Sequence, residues 1–210
     1  MTTCSIYLYY LPNVRFRRRC DAMNPNTLEQ IRNRLHELRP LRISEPDTIE
    51  AAVAIVLVEL DTSGPELLLI KRAEHELDPW SGQMALPGGR REPLDQDLLQ
   101  TARRETLEET GISLEPKELL GELDDLHPRT RVLPPIVVRP FVFGLRYRPE
   151  IKASEEVHLH LWVSLSALRD SSRQSRITLR GQSVEVPSYV VGPHVVWGIT
   201  ERILKPIIEL

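Results

Sequence analysis

LPGGRREPLDQDLLQTARRETLEETGI, running from Leu86 to Ile112, is the stretch from which the rest of this chain is read. It opens on a Gly pair, passes through a short acidic loop, and enters a helix that ends in Arg104-Glu105-x-x-Glu108-Glu109-x-Gly111. At about 100° per residue, Glu105, Glu108 and Glu109 fall within an arc of roughly 100°. Leu98 and Ala102 project to nearly the same side as Glu105 and Glu109. The acids are therefore expected along the buried side of the helix.

Two readings compete for such a patch. One is a solvated acidic face. Against it, like charges four residues apart repel, and carboxylates in a last helical turn oppose the macrodipole. Burying unpaired charge costs far more than either. A bound divalent cation would reverse all three penalties, and oxygen-only ligands select hard ions such as Mg²⁺ or Mn²⁺. Pro87-Gly88-Gly89 sets backbone without Cβ atoms beside the helix, where a carbonyl can approach a metal or an amide a phosphate. The plain alternative for the Gly pair is an ordinary tight turn.

These residues resemble the signature of the Nudix hydrolases. That signature is a Gly, five residues, a Glu, seven residues, then R-E-U-x-E-E-x-G-U with U aliphatic. Gly89, Arg104, Glu105, Glu108, Glu109, Gly111 and Ile112 match it. Asp95 stands for the upstream Glu, eight residues rather than seven separate it from Arg104, and Thr106 takes an aliphatic place. The longer spacing is similar to the branch that hydrolyses coenzyme A, whose D-x-D is met by Asp95 and Asp97. That branch also carries an upstream LLTxRS…G…FPGG stretch. Leu68, Leu69, Arg72, Ala73, Gly82 and Pro87-Gly88-Gly89 answer to it. Ile70 replaces its Thr and Leu86 its Phe. The Arg expected in its middle is absent, Leu77-Asp78-Pro79-Trp80 standing there instead.

The resemblance implies an α/β fold, a Nudix-type α/β/α sandwich with a mixed β-sheet. It implies hydrolysis of a diphosphate linkage with Mg²⁺ or Mn²⁺. Coenzyme A or its acyl esters would give adenosine 3′,5′-bisphosphate and 4′-phosphopantetheine. Glu105 and Glu109 would be the main metal ligands, Glu108 a ligand or the base that prepares water, and the Gly89 carbonyl would complete the shell. Asp95 or Asp97 would orient Arg104. Nudix enzymes also take the base from loops outside the box, so Glu155 and Glu156 are candidates, beside their reading as exposed loop acids. Arg72, Gly88, Arg129 and Arg131 are candidates for gripping substrate phosphate; the arginines could equally be structural or solvent-exposed. Two alternatives stay open. The substrate could be another nucleoside diphosphate derivative or a nucleoside triphosphate. Or the domain could sense a ligand without cleaving it, although such domains usually lose box carboxylates that are all kept here.

The rest of the chain sets bounds. Its 210 residues suit one domain with a small extension. We divide it into a foreign-looking segment 1–22, an N-terminal helical extension 23–45 and a catalytic domain 46–210. A mixed charge, net −3 with a pI near 6.1, argues against nucleic acid as a partner and leaves a small nucleotide. No segment is long enough to cross a membrane, and Ala51 to Leu60, with Glu59 inside it, reads as a buried strand. Cys4 and Cys20 make no disulfide framework, so a reducing cytoplasm is the expected compartment. The first 22 residues are rich in Arg, with Asp21 their one acid. A start assigned too early or a disordered tail is preferred there to a mitochondrial address.

A helix is expected with Asn26 as cap, Glu29 at its third position, and Leu28, Ile31, Leu35 and Leu38 on one face, ending at Pro40. It would pack across the catalytic domain or against a second subunit in a homodimer. Strands are expected at 51–58, 67–71, 136–147 and 158–163, with an edge or a bulge at Pro140. A turn or short helix starts at Ser164. A closing helix starts at Trp197, and Pro206 should kink or end it near Lys205. His158 and His160 read as a surface face, and Trp80 and Trp197 as packing at a domain edge, each against a ligand-binding alternative.

Overall fold

The computed structural model describes residues 27–61, 63–75, 80–128, 135–179 and 181–210. In chain order it contains α1 (Leu28–Glu37), β1 (Ile49–Val58), β2 (Glu66–Arg72), β3 (Met84–Ala85), β4 (Gly88–Arg90) and α2 (Leu98–Thr110). Then come β5 (Leu119–Glu122), β6 (Ile136–Leu145), β7 (Val157–Ser164), α3 (Leu165–Asp170), β8 (Ser172–Leu179), β9 (Gln182–Val191), β10 (His194–Trp197) and α4 (Ile199–Ile208). The segment 1–22 and residues Asn26, Arg129 and Arg131 lie outside the described residues; of the expectations placed on them, the cap assigned to Asn26 meets a described residue, Thr27.

Among the described residues, seven strands form one sheet, ordered β3-β2-β1-β6-β5, with β4 against β1 and β7 against β2. β1 and β6 run parallel over their full length, and the other pairings are antiparallel, so the sheet is mixed. The apolar run of β1 has no polar face because both of its faces are covered. Ala52, Ala54, Val56 and Val58 meet Leu98 and Ala102 of α2, with Phe141 and Phe143 of β6. Ala51, Ile55 and Leu57 share the core on the other face with Ile31 and Leu35 of α1 and Ile203 and Ile207 of α4. Helices thus cover both faces, the expected α/β/α arrangement.

Several local expectations are corrected. The cap of α1 is Thr27, not Asn26. Its hydroxyl accepts from the Gln30 N–H at 3.2 Å while the Gln30 side chain accepts from the Thr27 N–H at 2.9 Å. The box closes on Gln30 rather than Glu29 because Thr27, in an extended conformation, aims its oxygen into the first turn. Leu38 does not join the buried face; it is the C-cap and 44% exposed. Pro140 lies inside the sheet. Its carbonyl accepts from Leu123 just past the end of β5, so its missing N–H faces the point where that pairing already lapses. Pro206 does not end α4, which runs to Ile208. Ile207 and Ile208 are buried, and Arg169 Nε donates to the Ile208 carbonyl at 2.8 Å, so packing holds the last turn. Trp197 closes β10 instead of opening the helix; Gly198, at φ 71°, makes the break.

The segment 38–43 is tied to the sheet by one buried carboxylate. Asp125 accepts from Arg139 at 2.8 and 2.9 Å and from the Ile43 N–H at 2.9 Å. Burial pushes its carboxyl up, but these donors outweigh burial and hold it below its ordinary value. Asp125→Ala should therefore lower stability by about 3 kcal/mol, since Arg139 loses its counter-charge. Urea unfolding would read this as a lower midpoint with an unchanged slope.

Candidate active site

α2 is built to carry its acids at one end. The Asp97 side chain caps its start, accepting from the Gln100 N–H at 2.8 Å, and Gly111 ends it in the left-handed conformation at φ 75°. Thr106, the departure from an aliphatic residue, is fully buried. Its hydroxyl donates to the Ala102 carbonyl at 2.6 Å and needs no other partner.

Arg104 is the hub. It clasps Asp95 with Nε at 3.1 Å and Nη2 at 3.0 Å, and through Nη1 reaches Glu105 at 3.0 Å and Glu108 at 2.9 Å. Asp95 is buried, and its bonds from Arg104 overcome burial to hold its carboxyl at about 2. Of the two acids offered as partners for Arg104, Asp95 is the one in contact; Asp97 serves the helix end. This clasp locks one side of the guanidinium and aims the other at the carboxylates.

Glu109 is 3% exposed. Burial pushes its carboxyl up to about 7, against the pull of the Gly88 N–H at 2.9 Å and of Arg72 at 3.8 Å, with Glu105 and Glu156 adding to the rise. Glu105 is pushed up too, by burial first, against Arg104. Glu108 is more than half exposed. The glycine pair fits around these acids. A Cβ on Gly88 would lie 2.3 Å from the Ala52 carbonyl oxygen, and one on Gly89 2.4 Å from the Glu105 carboxylate. Gly89 backbone thus lies directly under the Glu105 oxygens, an approach that a side chain would block.

Among the described residues, no three acidic, His or Cys side chains stand together in the geometry of a metal cage. The reason is local: Arg104 engages Glu105 and Glu108, and Gly88 engages Glu109. The donor set still fits a hard divalent cation. It offers oxygens alone, two of its carboxylates are disfavoured as anions by burial, and the Gly89 cradle leaves a face of Glu105 free of side chains.

The loop ahead of β7 is stitched to the end of α2, Ser154 N–H to the Glu109 carbonyl at 3.0 Å and Lys152 N–H to that of Thr110 at 2.8 Å. Glu155 and Glu156 are both exposed, yet Glu156 is brought into the electrostatic field of Glu105 and Glu109. His158 and His160 are exposed along β7.

The glycine pair also borders a cavity of about 190 Å³. Ala51, Val53, Met84 and Leu86 line its floor, and Ile199 and Ile203 of α4 its wall. Arg72, Arg90 and Trp80 line it as well, which gives Trp80 a place at the site and not just at a domain edge. The part played by α4 was not foreseen. An amphipathic closing helix signals a buried face, but not that part of this face borders a cavity.

Over residues 49–180 the chain matches the family model described as NUDIX domain. It is 42% identical over 123 residues to Uncharacterized protein C14C4.10c of Schizosaccharomyces pombe, covering 56% of this chain and 37% of that one. It therefore spans little more than a third of that relative's length. It is 30% identical over 165 residues to Mitochondrial coenzyme A diphosphatase NUDT8 of Mus musculus, 76% of this chain and 77% of the relative. Among solved structures, a MutT/nudix family protein from Enterococcus faecalis is alike in fold, with a TM-score of 0.51 at 17% identity over 89% of this chain and 68% of that one. The matched span contains the whole stretch from Leu86 to Ile112, and the chain belongs to the Nudix hydrolase family.

Proposed function

We propose that this chain hydrolyses the diphosphate linkage of coenzyme A and its acyl esters, releasing adenosine 3′,5′-bisphosphate and 4′-phosphopantetheine, with Mg²⁺ or Mn²⁺ as its ion. The hydrolytic reading is carried by one observation: the glycine pair that packs on Glu105 and bonds Glu109 also lines a cavity. Coenzyme A is supported by the extra residue between Asp95 and Arg104, and by the name of the mouse relative.

Glu105 and Glu109 would hold the ion with the Gly89 carbonyl, and Glu108 would be a further ligand or the base that prepares water. When bound, such an ion neutralises phosphate oxygens and lowers the pKa of the attacking water. Arg72 would orient the diphosphate, while the Gly88 N–H is taken up by Glu109. As the base, Glu108, the most exposed of the three acids, would take the proton from water as the water oxygen bonds to one phosphorus; the bond from that phosphorus to the bridging oxygen breaks, and the other phosphate leaves with its electron pair. Arg104 keeps Glu105 and Glu108 in place.

The test is a substrate panel with Mg²⁺ and with Mn²⁺, setting coenzyme A beside sugar nucleotides, dinucleoside polyphosphates and nucleoside triphosphates, with products identified by mass. Release of adenosine 3′,5′-bisphosphate from coenzyme A is expected. Cleavage of another diphosphate in its place would move the substrate. Cleavage of none, with a ligand still bound, would make the domain a sensor.

A further inference from the structure

We infer that the cavity between the sheet and α4 receives the uncharged half of the substrate, the branched aliphatic segment next to the diphosphate, and that the adenosine bisphosphate half stays outside it. This rests on the coenzyme A reading above. The two halves differ in charge: the nucleoside end carries a 3′-phosphate, while the other end is neutral amide and alkyl chain.

The cavity discriminates between them. Its floor and wall are Ala51, Val53, Met84, Leu86, Ile199 and Ile203, and among the described residues that line it the cations are Arg72 and Arg90. Arg72 is paired with Glu109, and Arg90 is exposed next to Gly89, so both belong to the diphosphate side. A phosphate drawn onto that apolar floor would lose its water without gaining a counter-charge. A purine would find little there to pair with its edge. The uncharged polar side chains that line it, Gln83 and Thr200, both already have partners, Thr200 donating to the Met84 carbonyl at 3.1 Å. Unpaired polar edges count against binding. Branched alkyl carbon meets neither objection.

Size sets how much of the substrate enters. At about 190 Å³ the cavity is smaller than the space a whole drug-sized ligand fills. It takes the segment adjoining the phosphate and leaves the thiol end outside, so a long acyl group need not enter. The wall comes from α4, beyond the span matched by the family model. Ile203 is therefore a specificity-determining position.

Titration calorimetry with Mg²⁺ present, using 4′-phosphopantetheine and adenosine 3′,5′-bisphosphate as separate probes, tests this on the full chain. Ile203→Trp fills the cavity and should weaken 4′-phosphopantetheine about tenfold or more, leaving adenosine 3′,5′-bisphosphate within about twofold. Ile199→Trp, at a half-buried position where the ring has room to turn outward, should do the same and serves if Ile203→Trp does not fold. Loss confined to adenosine 3′,5′-bisphosphate, equal loss of both, no change in either, or no binding of 4′-phosphopantetheine to the wild type would each overturn the assignment. Turnover of coenzyme A by the wild type is measured separately. Its absence would sink the substrate reading, whereas the titrations bear on the subsite.

Discussion

Glu109→Gln is expected to cut turnover by about a thousandfold while making the metal-free protein harder to unfold above neutral pH. Both effects come from one buried carboxylate. In the unfolded chain this carboxyl ionises near its ordinary 4.5, in the folded protein only at about 7. Below the lower value it is protonated in both states and contributes nothing. Between the two, the unfolded state loses its proton first, so stability falls as pH rises. Above the upper value the whole penalty is in place, about 3 kcal/mol. Gln at this position is neutral throughout and can still accept from the Gly88 N–H. The gap in melting temperature should therefore be near zero at about pH 4 and widest at about pH 8.5. Glu105, also raised by burial, keeps some of the decline in the variant. Added Mg²⁺ should narrow the gap at high pH, since it stabilises only a form able to bind it. Calorimetric melts with and without chelator, paired with turnover assays, read every part of this. A gap that does not change with pH would show that Glu109 is not held against its own ionisation. Near-normal turnover would remove it from the metal site.

Arg104→Ala should lower kcat/KM by about a hundredfold, the loss expected when reacting groups shift by about an ångström. It should also cost about 3 kcal/mol of stability. Asp95 is the source of the second loss. Its side chain is 2% exposed, and without the guanidinium its remaining donors are the Glu92 N–H and the Thr101 hydroxyl. The first loss has a different cause: Glu105 and Glu108, no longer drawn to one cation, would repel each other. Arg104→Lys separates the two. A Lys keeps the charge but cannot clasp Asp95 with two parallel bonds while reaching both glutamates, so it should recover more stability than activity. Activity within about twofold of wild type in the Ala variant would show that the carboxylates keep their places by other means.

Much of the site was legible because its logic is local. The spacing of Glu105, Glu108 and Glu109 and the position of Leu98 and Ala102 follow from helical periodicity alone. The strands at β1, β2, β6 and β7 were legible because burial leaves a mark on each, a continuous apolar run or an alternation. The three-stranded sheet of β8, β9 and β10 left no such mark. β8 is exposed along almost all its length, so its residues carry no alternation to read. The cap was misplaced at Asn26 because neighbouring residues could both cap by type, and the extended backbone of Thr27 with its bond from the Gln30 N–H fixes the position.

Sequence by itself settled that three acids share one side of a helix beside a glycine pair, since both facts depend on residues a few positions apart in a regular backbone. Tertiary structure alone decided that Asp95 rather than Asp97 meets Arg104, that Glu109 sits deep enough to resist ionisation, and that α4 closes a cavity against Ala51 and Met84. Those contacts join segments distant along the chain, and burial and charge at such meetings are properties of the packed whole, not of any local pattern.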